Sequence, residues 1–405
     1  MKLHKNLVEA IIKTLQHIFN DGKFADKAIE KVLASDKRWG ARDRGFIAEN
    51  IYDMVRWWRL ISFVSGETKI EFEKELTNEK GWHMFGIWLM MNRKEIADWR
   101  EFKRINPEEV AKLFSKANQV RKIRESIPDW LDALGEKELG KLWDEEIAAM
   151  NKTAAVVIRA NTLKVNRTQL GKFLNNEEIE TYAPSEYPDA LVLKYRTNLF
   201  KTSFFKDGFF EVQDAASQKV AEFLEAEPGM RVIDACAGAG GKALHISAIL
   251  QNKGRVIAMD TEQWKLDELK LRARRAGAQN IELRHIENNK TIKRLNESAD
   301  RLLLDVPCSG LGVLKRNPDA KWKLDIQFID RIRQTQRDIL TQYPSMLKHG
   351  GKMVYATCSL LPSEGEDQIK WFISEFPGFE VEKELRLSPS KTGFDGFYMA
   401  LIKKL

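Results

Sequence analysis

The sequence predicts an α/β protein whose C-terminal half is a doubly wound sheet, preceded by a small α+β segment and an all-α N-terminal part. Three observations carry this expectation. The stretches Arg231 to Lys242, Leu302 to Gly310 and Lys352 to Ser359 are each a short apolar run ending in a turn of small and polar residues, the pattern of a buried parallel strand that delivers side chains at its carboxyl end. From Val232 to the C-terminus such runs alternate with helical stretches, as crossover connections require. The first third of the chain shows only the three-to-four spacing of helices. The chain has just three cysteines, Cys236, Cys308 and Cys358, and all three fall at the predicted strand ends.

A length of 405 residues exceeds one hydrophobic core and implies two or three domains, placed at residues 1–122, 123–212 and 213–405. Apolar residues make up 43% and charged residues 31%, as in ordinary globular proteins, and no apolar run approaches the roughly 20 residues of a membrane helix. The opening residues lead into a helical pattern, so a cytoplasmic protein is expected. Three cysteines make no disulfide framework, and the six scattered histidines include no pair at metal-ligand spacing, so no metal is expected. The net charge of +7 leans toward a polyanionic partner.

In chain order, Leu3, Leu7, Ile11, Leu15 and Ile18 mark the first helix face, and Phe46, Ile47, Ile51, Met54, Val55 and Trp58 mark another after the basic run Lys37 to Arg44. Trp57, Trp58 and Arg59 suit RNA stacking and backbone contact, or alternatively the core of a helical bundle. From Val156 onward strand-like runs surround one helix near Gln169 to Leu174. Arg159, Lys164, Arg167, Lys194, Arg196, Lys201 and Lys206 make this segment a candidate nucleic-acid platform, or a solvated basic face. Strands then follow at Val232–Asp234, Val256–Asp260, Leu302–Asp305 and Met353–Ala356.

Gly238, Gly240 and Gly241, between a strand and a helix, let the backbone approach a ligand closely. A Walker loop would need glycine at 236 and Ser or Thr at 243, where this chain has Cys236 and Ala243; a full dinucleotide fingerprint fails at the same alanine. What remains is Asp234, a glycine-rich turn, and Asp260 closing the next strand, which suits the ribose hydroxyls of an adenosyl ligand. S-adenosylmethionine is therefore preferred over NAD. Thiolates are strong nucleophiles near neutral pH, and Cys308 and Cys358 could meet only across a shared sheet edge.

The run Asp305-Val306-Pro307-Cys308-Ser309-Gly310-Leu311-Gly312, followed by Lys315-Arg316-Asn317-Pro318-Asp319-Ala320-Lys321-Trp322 and Tyr355-Ala356-Thr357-Cys358-Ser359, resembles the RsmB/Sun family of RNA cytosine-5 methyltransferases. Asp234 to Lys242, Val212 to Gln218, Arg159 to Lys164 and Asp395 to Ala400 extend the resemblance over roughly residues 125 to 405. The helical front resembles a NusB-like domain. The resemblance implies a Rossmann-like, S-adenosylmethionine-dependent methyltransferase domain behind an RRM-like segment. It implies that Cys236, Ala237, Gly238, Ala239, Gly240, Gly241 and Lys242 wrap the methionine and ribose of the cofactor. Asp260 would take the ribose hydroxyls, Glu287 would lie near the adenine, and Asp305 would stand between cofactor and cytosine.

By the same resemblance, Cys358 adds to carbon 6 of the base and Cys308 assists loss of the carbon 5 proton and release of the adduct. Lys242, Lys315, Arg316 and Lys321 would contact cofactor or RNA phosphate, with Trp322 stacking or in the core. The family's usual proline before Gly240 is Ala239 here, its usual glycine before Glu287 is Ile286, and its usual asparagine after Glu364 is Gly365. The expected partner is RNA, ribosomal before transfer RNA, bound by a monomer without membrane or metal. Three rivals stand beside this: a DNA cytosine methyltransferase, an idle ribosome-assembly factor, and a nicotinamide oxidoreductase.

Overall fold

Side chains from two distant parts of the chain fill the helical unit of the protein. The computed structural model describes residues 3–66 and 75–405; Met1, Lys2 and residues 67–74 lie outside it. Two units emerge, one of Met1–Lys152 with Leu314–Ile326, the other of Thr153–Val313 with Gln327–Leu405. No helix among the described residues is long and apolar enough to cross a membrane.

In the first unit, helix Lys5–Phe19 buries Leu7, Val8, Ile11, Ile12, Leu15 and Ile18 against helices Ala41–Arg56 and Asn78–Met91. The tryptophans belong to this core: Trp58 stacks on Phe19 at 3.9 Å, and Trp88 Nε1 donates to Asn50 Oδ1 at 3.1 Å. Trp57 packs half-buried against the same cluster. Buried Arg59 donates to the Ile127 carbonyl and to Asp129. Trp58 and Arg59 are thus structural and not an RNA platform, because an amphipathic bundle needs large side chains inside more than it needs them outside.

The segment Leu314–Ile326 completes this core. Arg56 Nη2 donates to the Lys315 carbonyl (3.0 Å), Trp322 Nε1 to the Val55 carbonyl (2.7 Å), and the Ala25 N–H to Asp319 Oδ2 (3.0 Å). Lys321 is 1% exposed, its Nζ 3.3 Å from Asn151 Oδ1; burial first, then the charge of Arg56, hold it well below the usual lysine value. It therefore cannot serve as the phosphate contact expected of it, and Trp322 is a core residue.

The second unit begins with a four-stranded antiparallel sheet of β1 (Val157–Ala160), β2 (Thr181–Tyr182), β3 (Ala190–Leu193) and β4 (Phe210–Val212), in the order β2-β3-β1-β4. Helix Arg167–Asn176 is started by Asn166, whose side chain accepts from the Gln169 N–H. Several of the basic residues here serve the fold. Arg159 is 2% exposed and its Nη1 donates to Gln213 and to the Gly241 carbonyl; Lys164, Arg167 and Arg196 donate to backbone carbonyls, and Lys194 pairs with Glu180.

A seven-stranded sheet follows, built from β5 (Arg231–Asp234), β6 (Arg255–Asp260), β7 (Ile281–His285), β8 (Ala299–Asp305), β9 (Leu347–Thr357), β10 (Phe379–Leu387) and β11 (Phe397–Lys404) in the order β10-β11-β9-β8-β5-β6-β7. Strands β5 to β9 run parallel, whereas β11 is antiparallel to β9 and to β10. Both faces are covered: Val232, Val256, Leu303 and Val354 pack in one cluster, and Ile233, Ile257, Leu302 and Tyr355 in another. The chain order reverses between β5 and β8, which opens a crevice at their carboxyl ends.

Candidate active site

Beside that crevice, the loop after β5 turns through two left-handed glycines, Gly238 (φ 53°) and Gly240 (φ 87°). A Cβ on Gly240 would lie 1.9 Å from Leu269 Cδ1, so only glycine lets the loop pack on helix Gln263–Ala276; at Gly238 nothing lies within 4 Å of that position, leaving space for a ligand. Arginines fix the loop from behind. Arg272 Nη1 donates to the Ala239 carbonyl at 2.7 Å and Arg159 Nη1 to the Gly241 carbonyl at 2.7 Å. Arg272 is itself held by Glu211 at 2.9 Å.

Asp260 is 8% exposed, and its two oxygens accept from the N–H groups of Gly238 and Glu262, each at 2.9 Å. These bonds aim the carboxylate and leave lone pairs for hydroxyl donors. The Ile286 N–H donates to the Asp260 carbonyl at 2.9 Å. Glu287, one residue on, is 74% exposed, with its Oε1 4.0 Å from His285 Nδ1. Tyr343, unremarked in the sequence, faces the same region; burial, then the charges of Cys236 and Asp260, push its hydroxyl up to about 12.

Asp234 lies beneath the loop, fully buried, with neither oxygen hydrogen-bonded. Burial, then the charge of Asp305, push its carboxyl up to about 7. An aspartate in an unfolded chain titrates near about 3.9, so the folded state holds this proton more tightly. Its contribution to folding is therefore complete below that value and is lost as pH rises to about 7. Asp234→Asn is expected to raise the melting temperature of the ligand-free protein over wild type by a margin that widens between about pH 4 and about pH 7. Calorimetry showing a margin constant across that range would refute it.

At the end of β8, Asp305 Oδ2 accepts from Lys242 Nζ at 2.6 Å. Burial alone would lower the lysine, but the charge and hydrogen bond of Asp305, with Cys358 and Asp234 behind, raise it above its ordinary value. Cys308 and Cys358, 50 residues apart in the chain, meet with their sulfurs 3.1 Å apart. The Cys308 thiol is pushed well above the usual cysteine value, first by its hydrogen bond to Cys358, then by burial and the charges of Cys358 and Glu364. Cys236 is raised as well, by burial and then Asp234, Asp305 and Asp260, so it stays a thiol.

Backbone bonds lock the two cysteine loops together: the Gly312 N–H donates to the Cys358 carbonyl (2.9 Å) and the Gly396 N–H to the Gly312 carbonyl (2.8 Å). A Cβ on Gly312 would sit 2.3 Å from the Gly396 carbonyl oxygen. At Gly365 a Cβ would meet Arg386 Nη2 at 2.8 Å, and Arg386 Nη1 donates to the carbonyls of Ser359 and Leu360. The sequence reading missed Glu364 and Gln336, buried behind the cysteines. Among the described residues, no group of three or more His, Cys, Asp and Glu could hold a metal ion.

A glycine turn and a buried carboxylate at the switch point of a doubly wound sheet make a crevice for an adenosyl cofactor, on a fold shared with Rossmann-like methyltransferases. A family described as 16S rRNA methyltransferase RsmB/F matches residues 221–403, and the RsmF/B-like ferredoxin-like domain matches residues 127–199. The probable ribosomal RNA small subunit methyltransferase B of Synechocystis is 33% identical over 69% of this chain and 67% of its own length. The chain belongs to the RsmB/F family of ribosomal RNA methyltransferases. Among solved structures, PH0851 covers all of both chains with a TM-score of 0.84 at 22% identity, and NSun6 from Pyrococcus horikoshii with SFG covers 69% of this chain and 99% of its own with a TM-score of 0.64 at 22% identity.

Proposed function

We propose that this protein is an S-adenosylmethionine-dependent RNA cytosine-5 methyltransferase that works through a covalent cysteine adduct. The observation that carries the reading is the sulfur pair at 3.1 Å beside the Lys242–Asp305 ion pair. Cys358 forms a bond from sulfur to carbon 6 of the cytosine, which makes carbon 5 enamine-like. Asp305 takes a proton from Lys242 across their 2.6 Å hydrogen bond as charge builds and donates it to the ring nitrogen that gains electron density. The cofactor supplies an electrophilic methyl group on a sulfonium. Once carbon 5 is methylated, Cys308 takes its proton, the bond from carbon 6 to sulfur breaks, and the ring double bond returns.

The residues fit such a cofactor: the Gly238 turn leaves open space, and Asp234 keeps two unpaired oxygens beneath it. Residues Cys236 to Lys242 hold the methionine and ribose, Asp260 the ribose hydroxyls, and Glu287 the adenine rim. The substrate is small-subunit ribosomal RNA ahead of transfer RNA, with the target base turned out of its stack. The helical unit and the small antiparallel sheet grip the surrounding RNA, and the protein acts in the cytoplasm as a monomer.

The test is methyl transfer from labelled cofactor to total RNA, with the modified nucleotide mapped. Label in 5-methylcytosine of small-subunit ribosomal RNA is expected; label in another base, or in DNA alone, would overturn the reading.

A further inference from the structure

Glu364 lies on the short turn Pro362–Glu364 that follows Cys358, and it is fully buried. Its carboxylate accepts four hydrogen bonds. Oε1 takes the hydroxyls of Ser309 (2.5 Å) and Ser359 (2.6 Å), while Oε2 takes the Ser309 N–H (2.8 Å) and the Gln336 amide (3.1 Å). Ser309 directly follows Cys308 and Ser359 directly follows Cys358, so one carboxylate oxygen binds the neighbour of each sulfur. The two hydroxyls stand 3.2 Å apart, much as the two sulfurs stand 3.1 Å apart. The Gln336 amide also donates to the Pro307 carbonyl at 3.0 Å, and the Tyr355 hydroxyl fixes the Glu364 carbonyl at 2.8 Å.

We propose that Glu364 is a positioning residue that holds the two cysteine turns in register through Ser309 and Ser359, and so sets the distance between the sulfurs. This rests on the covalent-adduct reading for its consequence in turnover, but its geometric part does not. A carboxylate is the side chain suited to the task, because it offers acceptor sites on both oxygens and carries no donor to oppose the four converging on it. An amide in its place must turn its N–H₂ to the two serine hydroxyls, which then have to reverse from donors to acceptors and lose their charge-assisted bonds, loosening the hold on both turns. Ser359 bears on formation of the adduct and Ser309 on its release, since each serine is tied to a different sulfur's backbone.

The spacing can be read without RNA or cofactor. Diamide takes two electrons and two protons from a thiol pair, leaving a disulfide and the reduced hydrazine, at a rate set by the thiolate the pair presents and by how closely the sulfurs meet, so rates are compared over a pH series. With peptide mapping to isolate the 308–358 bridge, Glu364→Gln is expected to form it about tenfold more slowly than wild type, and to lose about a hundredfold in kcat with KM for the cofactor unchanged. Should that variant not fold, Ser359→Ala and Ser309→Ala decide the matter. Ser359→Ala is expected to slow covalent RNA capture in a Cys308→Ala background, and Ser309→Ala to prolong the adduct in the otherwise native protein. Bridge formation at the wild-type rate in folded Glu364→Gln, or serine variants that move only the melting temperature, would overturn the proposal. A wild-type chain that bridges readily yet transfers no methyl group would instead sink the functional reading alone.

Discussion

Cys358→Ala is expected to abolish methyl transfer, with a loss of roughly a millionfold in kcat, the scale on which an enzyme loses its covalent nucleophile. At 1.36 kcal/mol per decade that is about 8 kcal/mol of transition-state stabilisation. Carbon 5 of cytosine cannot be methylated unaided. Cys236 is held as a thiol by burial and three carboxylates, which leaves Cys308 as the one other thiol that could take the role. The variant should still fold, because Cys358 is half-buried and its backbone carbonyl keeps the Gly312 bond. Measured turnover within about a hundredfold of wild type would transfer the nucleophile's role to Cys308, the arrangement of a DNA cytosine methyltransferase.

The second large effect is opposite in kind. Cys308→Ala is expected to accumulate a covalent protein–RNA species when cofactor is present, visible as a band of reduced mobility on a denaturing gel. In the resting protein the leading cause of the raised Cys308 value is its hydrogen bond to Cys358. Once the Cys358 sulfur is bonded to carbon 6, the hydrogen bond to it is gone, and Cys308 can release its own proton to solvent, the one proton that methylation sets free overall, and then take the one on carbon 5. Without it, elimination stalls with the base still attached. The double variant Cys308→Ala/Cys358→Ala is the control and should give no such band. A single variant that turns over normally and traps nothing would refute the release role.

How much of this was legible before folding differs from residue to residue. The strands β5, β6, β8 and β9 could be read because a buried parallel strand must be an apolar run, and a turn at its end must be small or polar. The strand β7 escaped: its residues Ile281 to His285 are only half-buried, so the sequence carries no apolar run there. Trp58 and Arg59 show another limit: the sequence favours the core of a helical bundle for the tryptophans, as the structure bears out, but an RNA surface stays open until the neighbours are known. Glu364 was invisible for a different reason. A buried acid among polar residues has no periodicity, and its partners Ser309 and Gln336 lie 55 and 28 residues away.

By itself the sequence determined local matters: where strands and helices begin, where glycine must sit, and that three thiols end up at strand ends. These follow from nearest-neighbour sterics and from the burial of apolar side chains, which act over a few residues. Only the tertiary structure decided which sulfurs meet, that Lys242 answers Asp305, that one glutamate holds both cysteine turns, and that Leu314–Ile326 fills the core of the helical unit. Each of these is a hydrogen bond or packing contact between residues far apart in the chain, and such pairings exist only once the sheet order and crossovers have brought them together.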